Sequence, residues 1–381
     1  MGKKIYFISD SHVSYLLYAN RPDIKKDTYR AVISVAEYIA ADKNNTEAVV
    51  FCGDNFDSKS PCPSDLTAMQ KAVSIMRDSG IRVLGIEGNH DKVAARKALG
   101  DVDDLSDEEI LEMDDIEDGD RWIHQLDVEH INRRPIKLDC GLIMFGFDYI
   151  QGKSMFEFLE NIPECDILVM HQPFFHISPF ESNAIELSGL PDQIGKLVVA
   201  GHVHWRDCRC ISPWKLFVSP GSTHSKKFKD PVGSFVSYDV ETEEVKHIDT
   251  PVHRCMKYVE VFSESDYIAA ENEVKEVLSR KYDEKPLIKI SYTDDMVHNL
   301  KKLEEIIGDS AHIFKHVVAS ERAEVKMEKD IELTSAEILA RVFDAMDLEQ
   351  DDDLLRVAEA AVDGHHDEVF KYINKRMEKV I

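Results

Sequence analysis

Five polar clusters hold the residues of this chain best suited to chemistry: Asp10-Ser11-His12, Gly53-Asp54-Asn55-Phe56-Asp57, Gly88-Asn89-His90-Asp91, His171, and Gly201-His202-Val203-His204. Each follows directly on a short apolar, β-rich run. Taken singly a DxH or a GHxH says little in a chain with 16 histidines. Together, at the ends of strands, the clusters would converge on one edge of the same sheets. Carboxylate, imidazole and amide groups in such a set suit divalent ions such as manganese, iron or zinc. No cysteine belongs to it, which argues against a structural Cys-type zinc site. Two cations about 3.5–4 Å apart activate a water and neutralise a phosphate cleaved in line. That chemistry needs one carboxylate bridging both ions and an acid near the leaving group. Glycines beside the ligands let the backbone turn sharply at each strand end. The implied activity is that of a dinuclear phosphoesterase.

The elements that must position these clusters follow from the apolar pattern. β-rich runs occur at 5–9, 48–52, 83–87, 142–147, 166–170, 196–200, 216–219 and 234–240, with helical stretches at 27–42, 65–79 and 153–161 between the earlier ones. Strands alternating with helices predict an α/β domain with functional groups at the carboxyl ends of the strands. The later strands lack intervening helices, so the sheets must be mixed. Past Pro251, KYVEVF, a helix at 265–281, LIKISYT, a helix at 296–307 and HIFKHVVAS form a β-α-β-α-β series sized for a small second domain. From Ile331 the signals are helical only, and two such helices bury little alone, so they should dock on the body or on a partner. The expected bounds are 1–250, 251–325 and 331–381.

Composition sets limits on partners. Of 381 residues 43% are hydrophobic, enough for a core, and 72 acidic against 46 basic groups give a net charge of −26. That average argues against a nucleic-acid partner, since phosphate binding rests on Lys and Arg. Position changes the argument: residues 101–130 alone carry −13 and residues 326–381 carry −7, while residues 1–100 are at +2 and residues 131–325 at −8. We expect the 101–130 segment to be a solvated acidic helix inserted in the larger domain, with Ser106 and Glu109 as its capping box. The body therefore tolerates DNA, with weak, salt-sensitive affinity until a partner adds positive surface. Seven cysteines without a CxxC pair suit a reducing compartment. With no apolar run of membrane-spanning length and no signal-peptide pattern, the expectation is a cytoplasmic protein without membrane contact.

The order DxH, GDxxD, GNHD, H, GHxH resembles the calcineurin-like metallophosphoesterase superfamily. Finer stretches, GDNFDSKSPCPSDL, IEGNHD, HQPFFHISPFESNAIELSGLP and VSPGST, resemble DNA double-strand-break repair nucleases of the SbcD/Mre type, and KYVEV and PLIKISY resemble that family's capping domain. The resemblance runs to about residue 325, strongly over the motifs and loosely over the cap. It implies a four-layer αββα sandwich of two mixed sheets, a small α+β capping domain and C-terminal helices. It further implies a manganese-dependent DNA nuclease of recombination and double-strand-break repair, acting as 3'-5' exonuclease, endonuclease or both, with magnesium, iron and zinc as other candidate metals. By resemblance one metal falls to Asp10, His12, Asp54 and His204, and the other to Asp54, Asn89, His171 and His202. His90 would be the general acid or phosphate-stabilising group facing the scissile bond and Asp91 would hold its ring, as a catalytic histidine requires. Asp57, beside the ligands, matches the bacterial SbcD form where some relatives carry His. Partners implied are duplex DNA ends, an SbcC-like coiled-coil ATPase and a second copy of the chain.

Other residues leave two readings open. Lys59, Arg206, Lys226, Lys227 and Lys229 follow metal motifs and would contact DNA phosphates, or are ordinary surface charges. Trp205 and Trp214 would stack on bases, or pack beside the site, which we expect. Cys208 and Cys210 have no second pair and are expected to be incidental. The Leu66, Met69, Ala72, Val73 and Met76 face of the 65–79 helix covers the sheet or joins a homodimer. The stripe Ile338, Leu339, Val342, Phe343 and Met346 binds the ATPase or folds back on the chain. Two rival functions also stand: a small-molecule or cyclic-nucleotide phosphodiesterase, and a DNA-end scaffold with incidental nuclease activity.

Overall fold

A computed structural model of the chain describes residues 2–14, 22–91, 122–151, 154–178, 184–225, 228 and 230–318. Most of the acidic segment, Lys226, Lys227, Lys229 and the whole 331–381 segment with its Ile338 to Met346 stripe lie outside the described residues. The described elements run β1 (Lys4–Ile8), α1 (Pro22–Ala41), β2 (Thr46–Cys52), α2 (Pro63–Asp78), β3 (Arg82–Ile86), α3 (Trp122–Gln125), β4 (Glu129–His130), β5 (Arg134–Lys137), β6 (Ile143–Gly146), α4 (Ser154–Glu160), β7 (Cys165–His171) and β8 (Ile194–Gly201). They continue with β9 (Asp207–Ser212), β10 (Lys215–Ser219), β11 (Ser234–Asp239), β12 (Val245–Asp249), β13 (Met256–Val261), α5 (Glu264–Ser279), β14 (Leu287–Tyr292), α6 (Val297–Ile307) and β15 (His312–Val317).

Alternation along the central strands decides the layering. In β1, Ile5 and Phe7 join Val50, Leu84, Val169 and Val199 in a core between two sheets, whereas Tyr6 and Ile8 face the other way, onto α1 and α2. The first sheet has the order β12-β11-β1-β2-β3-β4 and the second β5-β6-β7-β8-β10-β9. Both are mixed: β1 is parallel to β2 and antiparallel to β11, and β10 is parallel to β8 and antiparallel to β9. On the outer face of the second sheet, Met155 and Leu159 of α4 pack with Phe145, Leu168 and Phe217. Helix, sheet, sheet, helix is thus the α/β sandwich expected, and each of these buried apolar side chains stabilises it by roughly 1.5–3 kcal/mol. A third sheet, β13-β14-β15, shares its own core with α5 and α6 through Val261, Val274, Ile290 and Leu303.

Local chemistry fixes several boundaries. Pro63, which needs no hydrogen-bond partner for a backbone donor, opens α2, and Asp65 accepts from the Cys62 backbone N–H at 2.9 Å. The Met69, Ala72, Val73 and Met76 face of α2 is buried in the chain's own core with Leu66 partly buried against it, which favours the sheet-covering reading of this face over the homodimer one. Residues 122–130, the end of the acidic segment, also belong to the body: Ile123, Leu126 and Val128 are buried and β4 pairs with β3. Arg254 ties the small third sheet's segment to α1. Its guanidinium, 3% exposed, makes a two-pronged ion pair with Asp27 at 2.5 and 2.8 Å and donates to the Lys285 carbonyl at 2.7 Å.

Candidate metal centre

The carboxyl ends of β1, β2, β3, β7 and β8 bring the five clusters to one place. Asp10 and His12 follow β1, Asp54 and Asp57 follow β2, Asn89 and His90 follow β3, His171 ends β7, and His202 and His204 follow β8. The backbone there is forced into the left-handed region at Asp10, His12, Asp54 and His202, with φ of 48°, 37°, 50° and 90°. Such conformations cost of order 1–3 kcal/mol each and persist where surrounding structure imposes them. Glycines are required for close approach as much as for turning. A Cβ on Gly53 would lie 2.4 Å from His171 Nδ1, and one on Gly88 would lie 2.1 Å from Asp54 Oδ1.

Asp54, 2% exposed, stands at the middle. Its Oδ2 is 3.4 Å from His12 Nε2 and 3.3 Å from His171 Nε2, and its Oδ1 accepts from the His90 backbone N–H at 2.8 Å. Asp10 Oδ1 lies 3.6 Å from His204 Nε2 and 3.9 Å from His12 Nε2. Three groups have donor atoms mutually within 4.8 Å: Asp10 with His12 and His204, Asp54 with His171 and His202, and His12 with Asp57 and His90. Asn89 joins the second set, its Oδ1 3.1 Å from His202 Nδ1.

The donor chemistry fits cations. His171 Nδ1 donates to the Cys52 carbonyl at 2.8 Å, and His12 Nδ1 lies 3.1 Å from Asp57 Oδ1. Each contact leaves the ring's Nε2 lone pair toward Asp54, the arrangement by which outer groups orient metal-binding histidines. His171 Nε2 and Asp10 Oδ1 are buried and their nearest polar contacts, with Asp54, His204 and His12, are long at 3.3, 3.6 and 3.9 Å, a costly state for polar atoms unless a cation satisfies them. Burial opposes a charge on Asp10, but the hydrogen bond from His12 and the nearby His171 and His204 hold it below the usual carboxylate range. Burial likewise opposes Asp54, and the charge and hydrogen bond of His171, then His12 and His90, outweigh it. Burial disfavours a proton on His171, yet the Asp54 carboxylate pushes it up to about 9. Proton and cation therefore compete for one lone pair, so metal uptake releases protons.

Two expectations need correction. Asp91 does not hold the His90 ring. Its buried carboxylate turns inward and accepts from the backbone N–H groups of Asn55, Phe56 and Gly88 at 2.9, 3.0 and 3.0 Å, bracing the second and third clusters together. Burial, then the Asp54 charge, push Asp91 up to about 7 against those bonds. The His90 Nδ1 instead donates to the Asp57 carbonyl at 3.3 Å, and its ring centroid is 4.9 Å from that of His12. Neighbours in a tight turn point apart, so sequence adjacency misled. Trp205 and Trp214, expected to be packed, are 57% and 69% exposed.

Lys59 is exposed, and Arg206 is paired with Asp249 at 2.7 Å. Cys208 and Cys210 are free and exposed on β9. Sequence reasoning passed over three supports. Ser9 Oγ donates to Asp10 Oδ2 at 2.5 Å and Ser222, within VSPGST, donates to the Asp10 carbonyl at 2.7 Å. Tyr149 stacks on His202 with ring centroids 5.8 Å apart, and the Asp148 beside it accepts from the Glu87 backbone N–H. The signal for that last pair was a sixth polar pair at a strand end, after β6.

Residues 3–206, more than half of the chain and spanning all five clusters, match the calcineurin-like phosphoesterase family, and the chain belongs to it. Within that class it is similar to two proteins named DNA double-strand break repair protein Mre11. One is from Methanosarcina mazei, 25% identical over 60% of this chain and 35% of the relative. The other is from Saccharolobus solfataricus, 25% identical over 58% and 52%. The chain thus spans about a third to a half of the length of these relatives. A solved 5'-nucleotidase from Candida albicans is similar over 65% of this chain and 52% of its own at 18% identity and a TM-score of 0.37. Among the described residues no helix is long and apolar enough to cross a membrane.

Proposed function

We propose that this chain is a manganese-dependent DNA nuclease that hydrolyses phosphodiester bonds at DNA ends in double-strand-break repair. The observation that carries the reading is the pair of His/Asp sets meeting around Asp54 with the His90 ring beside them. The similarity to proteins named for double-strand-break repair supports the choice of DNA. Asp10, His12, Asp54 and His204 would hold one cation, and Asp54, Asn89, His171 and His202 would hold the other. When bound, such cations polarise phosphate oxygens and lower the pKa of a water. The chain's own side chains do the rest. Cys52 and Asp57 fix the tautomers of His171 and His12, and the His90 Nδ1–H bond to the Asp57 carbonyl orients the ring so that its imidazolium form would give the Nε2 proton to the departing sugar oxygen and be left neutral. Asp91 keeps the Asp54 and His90 turns in register.

The remaining parts of the proposal concern partners. An SbcC-like ATPase binds the 331–381 segment and supplies positive surface that this acidic chain lacks. Self-association uses surfaces other than the buried face of α2. The direct test compares end-labelled duplex and single-stranded DNA with a small chromogenic phosphodiester, in manganese or magnesium. DNA should be cut at far higher kcat/KM; turnover of the small diester alone would refute the reading. Deleting residues 331–381 should leave that activity and abolish co-purification with the ATPase, and a retained complex would sink the partner assignment.

A further inference from the structure

The nuclease reading leaves unexplained why large aromatic side chains stand in solvent beside a site of buried charges. Phe175 is 47% exposed and Trp205 is 57% exposed. They occupy matching places: His171 pairs with Gly201 at the ends of β7 and β8, Phe175 comes four residues after the first and Trp205 four after the second. Trp205 directly follows the ligand His204, so their Cα atoms are about 3.8 Å apart. The two loops are tied together just beyond the rings, where His176 Nε2 lies 3.0 Å from Asp207 Oδ2.

The backbone under both rings is fixed. Phe174, 1% exposed, packs on Phe217 at 4.5 Å between centroids, the His176 ring meets the same Phe217 at 5.0 Å, and the Phe175 N–H donates to the Ile185 carbonyl at 3.0 Å. Phe175 is therefore the outward residue between two inward ones. The Trp205 carbonyl accepts from Ser219 Oγ at 3.0 Å. Exposed rings on a rigid backbone lose little freedom when something stacks on them, and every nucleobase offers a π face. Trp214 gives the contrast. It is more exposed still, at 69%, but sits at the opposite end of β10, five residues and roughly 15 Å from the strand's site end.

Building on the nuclease reading, we propose that Trp205 and Phe175 form a nucleobase subsite, on which an unpaired base next to the scissile phosphate stacks. The consequence is that the site grips a strand by a base as well as by its phosphates, and that a duplex end must fray to be seated.

The test compares a phosphorothioate oligothymidylate, which turns over slowly, with a strand of equal length and charge made of abasic units, in manganese, using the full chain. Trp205→Ala and Phe175→Ala should each weaken binding of the base-bearing strand about tenfold, about 1.4 kcal/mol, and leave the abasic strand unchanged. Trp205→Phe should restore most of the loss, and Trp214→Ala should change neither. Quenching of tryptophan emission by the base-bearing strand should disappear in Trp205→Ala. Unaltered binding in Trp205→Ala, or equal losses on both strands, would overturn the subsite while leaving the nuclease reading in place. A wild-type chain that neither binds nor cuts either strand would overturn both.

Discussion

Gly88→Ala is the substitution whose effect the geometry defines most sharply. A methyl group there would stand 2.1 Å from Asp54 Oδ1 and 2.4 Å from the Asp54 backbone nitrogen, where contacts below 3.0 Å are essentially never found. The Asp54 carboxylate, or the turn that carries it, must retreat by about 0.9 Å to reach 3.0 Å, and a misplacement of about 1 Å in a reacting constellation costs on the order of a hundredfold in rate. Asp54 serves both ligand sets, so both should weaken together. We expect kcat for manganese-dependent cleavage of labelled DNA to fall about a hundredfold, manganese affinity by calorimetry to fall with it, and circular dichroism to stay native. Gly189→Ala is the control, since nothing lies within 4 Å of a Cβ there, and it should behave as wild type. A Gly88→Ala chain that binds manganese and cuts DNA like the parent would refute the geometry on which the centre is built.

Other expectations follow from separate contacts. His90→Gln should lower kcat by about 10²–10⁴ while manganese stoichiometry is unchanged, because His90 is assigned a proton and not a metal; loss of a bound ion would contradict that division. Arg254→Ala should destabilise the chain in urea by about 1–3 kcal/mol, the cost of removing the hydrogen-bonded partner of a half-buried carboxylate, and the paired change Arg254→Met with Asp27→Leu should recover most of it. A double variant no more stable than the single one would count against a purely electrostatic clamp. Asp42 is held below the usual carboxylate range: burial works against its charge, and bonds from Lys4, Asn45 and Tyr6 prevail. Its contribution should therefore be complete above about pH 5 and fade as pH falls through its lowered folded pKa. Asp42→Asn should lower Tm more at pH 7 than at pH 2, and an equal loss at both would show the effect is steric.

Residues that sit at strand ends were legible in the sequence because position and chemistry coincide there. β2 and β8 are buried on both faces, so they stand out as unbroken apolar runs, and the polar group that stops each run is the ligand. Strands β5, β9 and β12 were missed for the opposite reason. They lie at sheet edges and are mostly exposed, as in RPIK and DCRCIS, which leaves no alternation to detect. Asp91 was assigned to its sequence neighbour, whereas a tight turn sent it to a strand loop 36 residues earlier. Tyr149 and the exposed Trp205 need the fold before they have meaning, since nothing in the local pattern says which ring meets His202 and which meets solvent.

The central claim is a pair of cations shared on Asp54, and titration calorimetry of the full chain with manganese tests it most directly. Two ions per chain should bind with proton release, and in Asp54→Asn both sites rather than one should be lost. A single site in the wild type, or one site surviving intact in Asp54→Asn, would contradict it.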